Sequence, residues 1–500
     1  MKKLTADIVV IAAGTAGLPA AVTAAAGGAS VIVFEKRGNT GGAGNMANAI
    51  GGVGSNFQHA HGENVTPEEA YKIHMDWTHW RVDARLVSEF YRKAGSTINW
   101  LEEQGVEFSG FQGVIGQGRP VTAHTVKGLP PGPKQLGQAA AAMKVLTKRA
   151  KDLGVQFYLK TPVKQIIKKG GRITGVIAED EAGNEIHVDA KAVIIATGGI
   201  AASNEMMKKY TGYEDGKDIY VLFKGGKNGL VGDGIRMAWE VGAGSTEIYM
   251  ALTHHLPPPC AGPGGTAAEF TAFRLPYNIM VNLQGERFVN EDVGGAHSIV
   301  ANTISIQKDR AAFTIFDGNL KKYYDETNAA SPMGTQGQWS QYRTFKHENL
   351  DDNIREAREK GYKYLFMADS LEELCQQTGI KLSGLLNTIE EYNKLCQAGR
   401  DDVFYKNSKY LRPFKKQPKF YAGRFFAGAY NSTGGIKINY KTEVLSSDCE
   451  VIPGLYAVGA DANNMYTHSY TSLAGSHMGF AITSGRMAAE NALKYIESIK

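Results

Sequence analysis

Residues 7–17 leave few folds open. An apolar strand, Asp7-Ile-Val-Val-Ile11, runs into Ala12-Ala-Gly14-Thr-Ala16-Gly17, and an alanine-rich helix follows. A second apolar strand then ends on Glu35. A strand, a glycine turn, a helix and an acid about 20 residues on make the start of a dinucleotide-binding unit. Backbone N–H groups at the helix start can face a pyrophosphate, where the positive end of the helix dipole favours the anion. Glu35 is placed to accept a hydrogen bond from the adenosine ribose. One position departs from G-x-G-x-x-G: the first glycine is Ala12.

Lys36-Arg37 lead into Thr40-Gly41-Gly42-Ala43-Gly44-Asn45 and then Ile50-Gly51-Gly52-Val53-Gly54. Glycine at this density lets backbone approach a large flat ligand without Cβ clashes. Three further segments stand downstream: Ala196-Thr197-Gly198-Gly199, Gly232-Asp233-Gly-Ile-Arg-Met-Ala238 and Asn282-Leu-Gln-Gly-Glu-Arg-Phe-Val-Asn-Glu291. Near the end, Ile452-Pro-Gly-Leu-Tyr-Ala-Val-Gly459-Ala-Asp461 precedes Ser476, Met478 and an apolar helix. Over nearly its whole length the chain therefore resembles the FAD-dependent fumarate reductase/succinate dehydrogenase flavoprotein superfamily, which also holds 3-ketosteroid dehydrogenases and anaerobic ene-reductases, the tetrahydrodaidzein reductase type among them.

The resemblance implies an α/β fold, a Rossmann-like FAD-binding domain with an inserted α+β capping domain. Residues 1–249 and 428–500 are the two parts of the FAD domain, and 250–427 are the cap. It assigns to the cofactor the residues Gly14, Ala16, Gly17, Glu35, Lys36, Thr40, Gly41, Gly42, Gly44, Asn45, Gly51, Gly52, Val163, Ala196, Thr197, Gly198, Asp233, Gly459, Asp461, Ser476 and Met478. In membrane-bound members a histidine in the Gly-Gly loop carries the flavin covalently. Residues 41–54 contain none, so the FAD is expected to be non-covalent.

Fumarate reductases hold a dicarboxylate with arginine and histidine donors. Those positions fall here on or near Gly295, Asn431 and Ser472, with His297 close to the first. Only His254 or His255, Arg274 and Glu269 have plausible matches. Burying two carboxylates without bidentate partners costs several kcal/mol, which argues against fumarate or succinate. What replaces the arginines is Tyr466-Thr-His-Ser-Tyr470-Thr-Ser472, with Tyr277 on the cap side. This is similar to the ketosteroid dehydrogenases, where tyrosines grip a keto group and exchange a proton. The candidate catalytic residues are Tyr470, His255, His297, Arg274 and Ser472; Tyr470 can equally be a wall of the site. The expected chemistry is hydride transfer from flavin N5 to an activated C=C of a neutral, isoflavonoid- or steroid-like molecule, with the protein donating the proton. A ketosteroid-type dehydrogenase running oxidatively, or an electron-transfer flavoprotein without its own organic substrate, are the other readings.

Composition sets the remaining limits. Five hundred residues predict two domains. A net charge of +5 with dispersed lysines and arginines gives no nucleic-acid signal. Cys260, Cys375, Cys396 and Cys449 have no metal-ligand or haem-attachment spacing, and fit a reducing compartment. No apolar stretch approaches the roughly 20 residues that span a bilayer. A cytoplasmic protein is expected, with no metal and a small-molecule substrate. Its electron donor, NAD(P)H or a redox protein, is left open; no second strand–glycine–helix unit is present to bind NAD(P)H.

Overall fold

A strand that is apolar on both faces needs covered neighbours on both sides. The first strand, β1 (Lys2–Ile11), is exposed at Lys2 and Lys3 and fully buried from Ile8 to Ile11. It lies parallel to β2 (Val31–Glu35) on one side and to β3 (Glu185–Ile195) on the other. Helix α1 (Gly17–Ala26) crosses between β1 and β2. The sheet continues through Val451–Ala457 beyond β3 and Gln156–Leu159 beyond β2, and the hairpin 163–179 joins β3 antiparallel. Alternation along β1 divides the core: Val9 and Ile11 enter one apolar cluster, Ile8 and Val10 the other. This computed structural model describes residues 2–111, 119–129, 136–225, 229–255, 272–292, 297–327, 350–359, 361, 363–468 and 470–499. Cys260, Glu269 and Gly295 lie outside them.

Thr66-Pro-Glu-Glu69 predicts a helix start, and the structure forms a capping box there: Thr66 Oγ1 accepts from Glu69 N–H, and the Glu69 carboxylate accepts from Thr66 N–H. Residues 66–104 form two helices, α2 (Pro67–Trp77) and α3 (Ala84–Glu103), because His79 and Trp80 take positive φ and Asp83 caps the second. β3 alternates between buried and more exposed positions from Glu185 to Lys191 and is buried from Ala192 to Ile195.

The second sheet is organised by β5 (Phe420–Thr433), fourteen residues long. It pairs with β4 (Tyr249–His255), Ala311–Asp317 and Leu365–Ala368 antiparallel, and with Ile219–Val221 parallel. The boundaries expected at 249/250 and 427/428 therefore both fall inside strands, and those strands bond to each other, Tyr249↔Thr433 through His255↔Phe426. The two strands thus form one paired ribbon across both expected boundaries. The Arg-Phe-Val-Asn-Glu segment packs inside the cap. There Arg287 donates to Glu291 at 2.9 and 2.8 Å and to Asp401 at 2.8 Å, and the Lys406 ammonium lies 3.4 Å from Glu291. Lys406 also donates to Asn278 O, and all four side chains are nearly inaccessible. Among the described residues no helix is long and apolar enough to cross a membrane.

Candidate active site

The glycine turn after β1 keeps the conformation that its missing first glycine would supply. Ala12 sits at φ +86°, a left-handed backbone that costs an L-residue roughly 1 kcal/mol. Gly17 is required by contact: a Cβ there would lie 1.9 Å from Ala12 O. Gly14 has room, since its Cβ would meet only Gly42 Cα, at 4.0 Å. The start of α1, with Ala16 before it, has no side-chain cap and no acid in its first turn, which leaves the positive end of its dipole without a carboxylate from its own first turn. Glu35 is buried at the end of β2, accepting from Ala13 N–H at 2.8 Å and Arg37 N–H at 2.9 Å. Burial pushes its carboxyl up against the pull of those bonds. A helix start without a side-chain cap, preceded by a glycine turn and with a carboxylate at the end of the next strand, fits a dinucleotide at the C-terminal ends of β1 and β2.

The residues of the following loop hold one another. Asn45 donates to Thr40 O at 2.8 Å, Thr40 Oγ1 pairs with Thr147 Oγ1, and Gly41 N–H bonds Ala13 O. Gly44 fits against Met143 and Thr15. Gly51 N–H donates to Gly475 O and Gly52 N–H to Thr122 O, which seats this loop on the start of helix α4 (Ser476–Ser498), where Ser476 and Met478 lie. Gly459 approaches Ala16, and a Cβ on it would be 3.0 Å from that side chain. Ala196 N–H bonds Ile11 O, which brings Thr197 and Gly198 beside the same turn. Val163 opens the hairpin strand next to Thr161, whose N–H bonds Glu35 O.

Three further residues expected at the cofactor have protein partners as well. Asp461 is fully buried and accepts from Gly198 and Gly199 N–H at 2.8 Å and from Thr197 Oγ1 at 3.0 Å. It staples the 197–199 turn to the 459–462 turn. Lys36 and Asp233 pair with each other at 2.7 Å, and Lys36 also donates to Gly229 O.

Beyond the turns lies an aromatic wall. Tyr470 is 4% exposed, with edge-on contacts to Tyr466, His477 and Tyr430 at 5.2, 5.8 and 6.3 Å, and Phe223 stacks on Tyr430. Burial pushes the Tyr470 phenol up, and no described residue hydrogen-bonds its hydroxyl. His477 Nδ1 is likewise buried without a partner among the described residues, and burial lowers this imidazole to about 4. Ser472 does not reach this space: it is fully buried, with Oγ 3.1 Å from His74 Nδ1. Asn431 donates to Gly198 O and accepts from Ser432 N–H, which ties both ends of its amide to backbone. Arg274 is half-buried in the turn Ala272–Arg274. His255 ends β4 and His297 begins a helix, but their side chains lie outside the described residues.

The sequence reading missed a buried polar knot behind the wall. His74, on α2, bonds Tyr91 OH at 2.8 Å, Ser472 Oγ and Met465 O. Thr471 Oγ1 meets Tyr466 OH and Ser476 Oγ, and Tyr466 OH donates to Ser476 Oγ at 2.5 Å. The available signal was a histidine on the apolar face of α2, one turn after Ala70 and next to Met75.

A family model described as FAD binding domain matches residues 7–477. The chain is 33% identical to a vinyl phenol reductase of Lactiplantibacillus plantarum, over 98% of this chain and 96% of that protein. It is 28% identical to a fumarate reductase (cytochrome) of Shewanella frigidimarina, over 98% of this chain and 77% of that protein. The solved structure of 3-ketosteroid-Δ4-(5α)-dehydrogenase from Rhodococcus jostii shares the fold, with a TM-score of 0.75 at 23% identity, covering 99% of this chain and 98% of that one.

Proposed function

The chain belongs to the FAD binding domain family, and on that premise we propose a non-covalent FAD enzyme that reduces the C=C bond of a neutral aromatic or cyclic alkene. The family and its relatives make FAD the cofactor and C=C oxidoreduction the chemistry. A vinylphenol-like compound is the first candidate substrate, from the vinyl phenol reductase relative. The observation carrying neutrality is the engagement of Asn431 and Ser472: at two positions where fumarate reductases bind carboxylates, the polar atoms bond this protein's own backbone and His74. A dianion there would lose water and gain no bidentate donor from either residue. FAD held by the Gly14–Gly17 turn, Glu35 and the 41–54 loop would supply hydride chemistry at one alkene carbon. The Tyr470 hydroxyl, protonated at neutral pH and hydrogen-bonded to no described residue, gives the proton to the other carbon. Tyr430, Tyr466 and Phe223 line the site with aromatic surface that excludes water.

Photoreduced enzyme mixed anaerobically with 4-vinylphenol, with cyclic enones and with fumarate should reoxidise with the neutral alkenes. With fumarate it should be no faster than with buffer. Rapid reoxidation by fumarate would overturn the neutral-substrate reading. The oxidative alternative is tested in the same cuvette, since bleaching of oxidised enzyme by a saturated ketone would favour it.

Two results bear on the cofactor. Acid precipitation should release yellow FAD into the supernatant, because residues 41–54 offer no histidine for attachment; colour retained in the pellet contradicts this. Gly14→Leu should yield folded, colourless protein: a Cβ there meets only Gly42 Cα, at 4.0 Å, so the chain tolerates it, while the larger side chain would take the place of the pyrophosphate. Normal flavin content in that variant would move the pyrophosphate elsewhere.

A further inference from the structure

Tyr470 lies between β6 of the flavin sheet (Val451–Ala457) and α4, where residues 463–468 and 470–475 have no regular secondary structure. Something else must hold its ring in place, because an irregular segment has no ladder or helix bonds of its own. One imidazole touches both sides of it. His74 Nε2 is 2.6 Å from Met465 O, and since a carbonyl can only accept, Nε2 carries the proton. Nδ1 is therefore the acceptor, 2.8 Å from Tyr91 OH and 3.1 Å from Ser472 Oγ. Met465 precedes Tyr470 by five residues and Ser472 follows it by two. The same imidazole packs against the Tyr466 ring, with centroids 4.6 Å apart. A second knot closes within the stretch: Thr471 Oγ1 reaches Tyr466 OH at 3.0 Å, Ser476 Oγ at 2.7 Å and Leu473 O at 2.9 Å.

We propose that His74 is a positioning residue for proton delivery: from α2 it clamps residues 465 and 472 together and so aims the Tyr470 hydroxyl at the substrate carbon. The proposal rests on Tyr470 as the proton donor and adds a residue of α2 to the site's function. The clamp works in one tautomer, with Nε2–H directed at Met465 and the Nδ1 lone pair at the two hydroxyls. A fully buried imidazole whose described partners are two hydroxyls and a carbonyl, with no carboxylate, stays neutral, and burial lowers it to about 4. The tautomer therefore persists across the range in which the enzyme would work. Tyr91 extends the clamp to α3, so the helical pair and the loop form one unit.

The test is a double-mutant cycle on FAD-loaded enzyme, reading single-turnover reoxidation by 4-vinylphenol. Misplacing a catalytic group by about 1 Å can cost on the order of 100-fold, so His74→Phe should slow the alkene step roughly 10- to 100-fold at saturating substrate while flavin content is kept. Ser472→Ala removes one clamp bond with little change in volume and should give a smaller loss of the same kind, which covers the case of His74→Phe failing to fold. In a Tyr470→Phe background, His74→Phe and Ser472→Ala should have no further effect, because the group they aim is gone. Multiplicative losses in the double variants, or unchanged rates in both single variants, overturn the proposal. Amide hydrogen exchange gives a readout that needs no substrate. Peptides spanning 463–475 should exchange faster in Ser472→Ala, while peptides from the middle of α4 should not. If wild-type enzyme reduces none of the neutral alkenes, the substrate reading fails, and faster exchange confined to 463–475 still supports the clamp. Unchanged exchange there sinks the clamp whatever the substrate.

Discussion

Tyr470→Phe is expected to cut turnover about 100- to 10,000-fold, the usual contribution of a positioned general acid, and to leave the flavin spectrum unchanged. The ring would keep its edge-on contacts with Tyr430, Tyr466 and His477, so the wall survives and only the hydroxyl is lost. That hydroxyl bonds no described residue, so its removal strands no partner and should barely affect stability. Transient kinetics can separate the steps: reduction of the FAD should proceed at the normal rate, and alkene-dependent reoxidation should slow. Near-full activity would make Tyr470 a wall and pass the proton to His477, whose buried Nδ1 is the nearest alternative. Loss of FAD would place Tyr470 in the cofactor site.

The second large effect lies in the cap and concerns stability. Arg287→Met should destabilise the protein by about 3–5 kcal/mol, the cost of stranding buried charges. Glu291 and Asp401 would keep Lys406 as a cation near Glu291 but lose the guanidinium that satisfies them both. Lys406 and the guanidinium hold the Glu291 carboxyl low against its own desolvation. Without the guanidinium, one of the two acids would have to take up a proton to stay buried. Thermal melting with far-ultraviolet detection is the check, and a loss below about 1 kcal/mol would mean that water reaches the cluster. Replacing all four charges together with apolar groups of similar volume should be far milder than the single change.

The parts of this molecule legible in its sequence are those in which short-range order and fold coincide. β1, the glycine turn, Glu35 and the Thr66 capping box depend on neighbours within one strand–helix unit, and each can be read off consecutive residues. Asp461 lies in a segment that resembles a flavin-binding stretch, which says nothing of its protein partners. What it bonds, the N–H groups of Gly198 and Gly199, lies more than 260 residues away. His74 was passed over for the same reason, since its partners Met465 and Ser472 are 391 and 398 residues distant. On its own helix it is only a histidine on an apolar face, a pattern that usually means core. The Arg-Phe-Val-Asn-Glu segment marked the family correctly, but its arginine and glutamate serve the interior of the cap. Motif spacing reports kinship more directly than it reports which side chains face a ligand.

The paired strands that carry the chain into and out of the cap also decide how this protein could be rebuilt. A cap taken from a relative to alter substrate preference cannot be joined at residues 249/250 and 427/428, because both cuts would divide hydrogen-bonded neighbours. The graft has to include β4 and β5 whole and keep Tyr249 opposite Thr433. A slip of one residue at either junction would turn Arg424 and Tyr430, the two partly exposed positions of β5, onto the face now held by Phe425 and Ala429. Chimaeras spliced outside the ribbon should fold with the donor's specificity, and those spliced within it should aggregate.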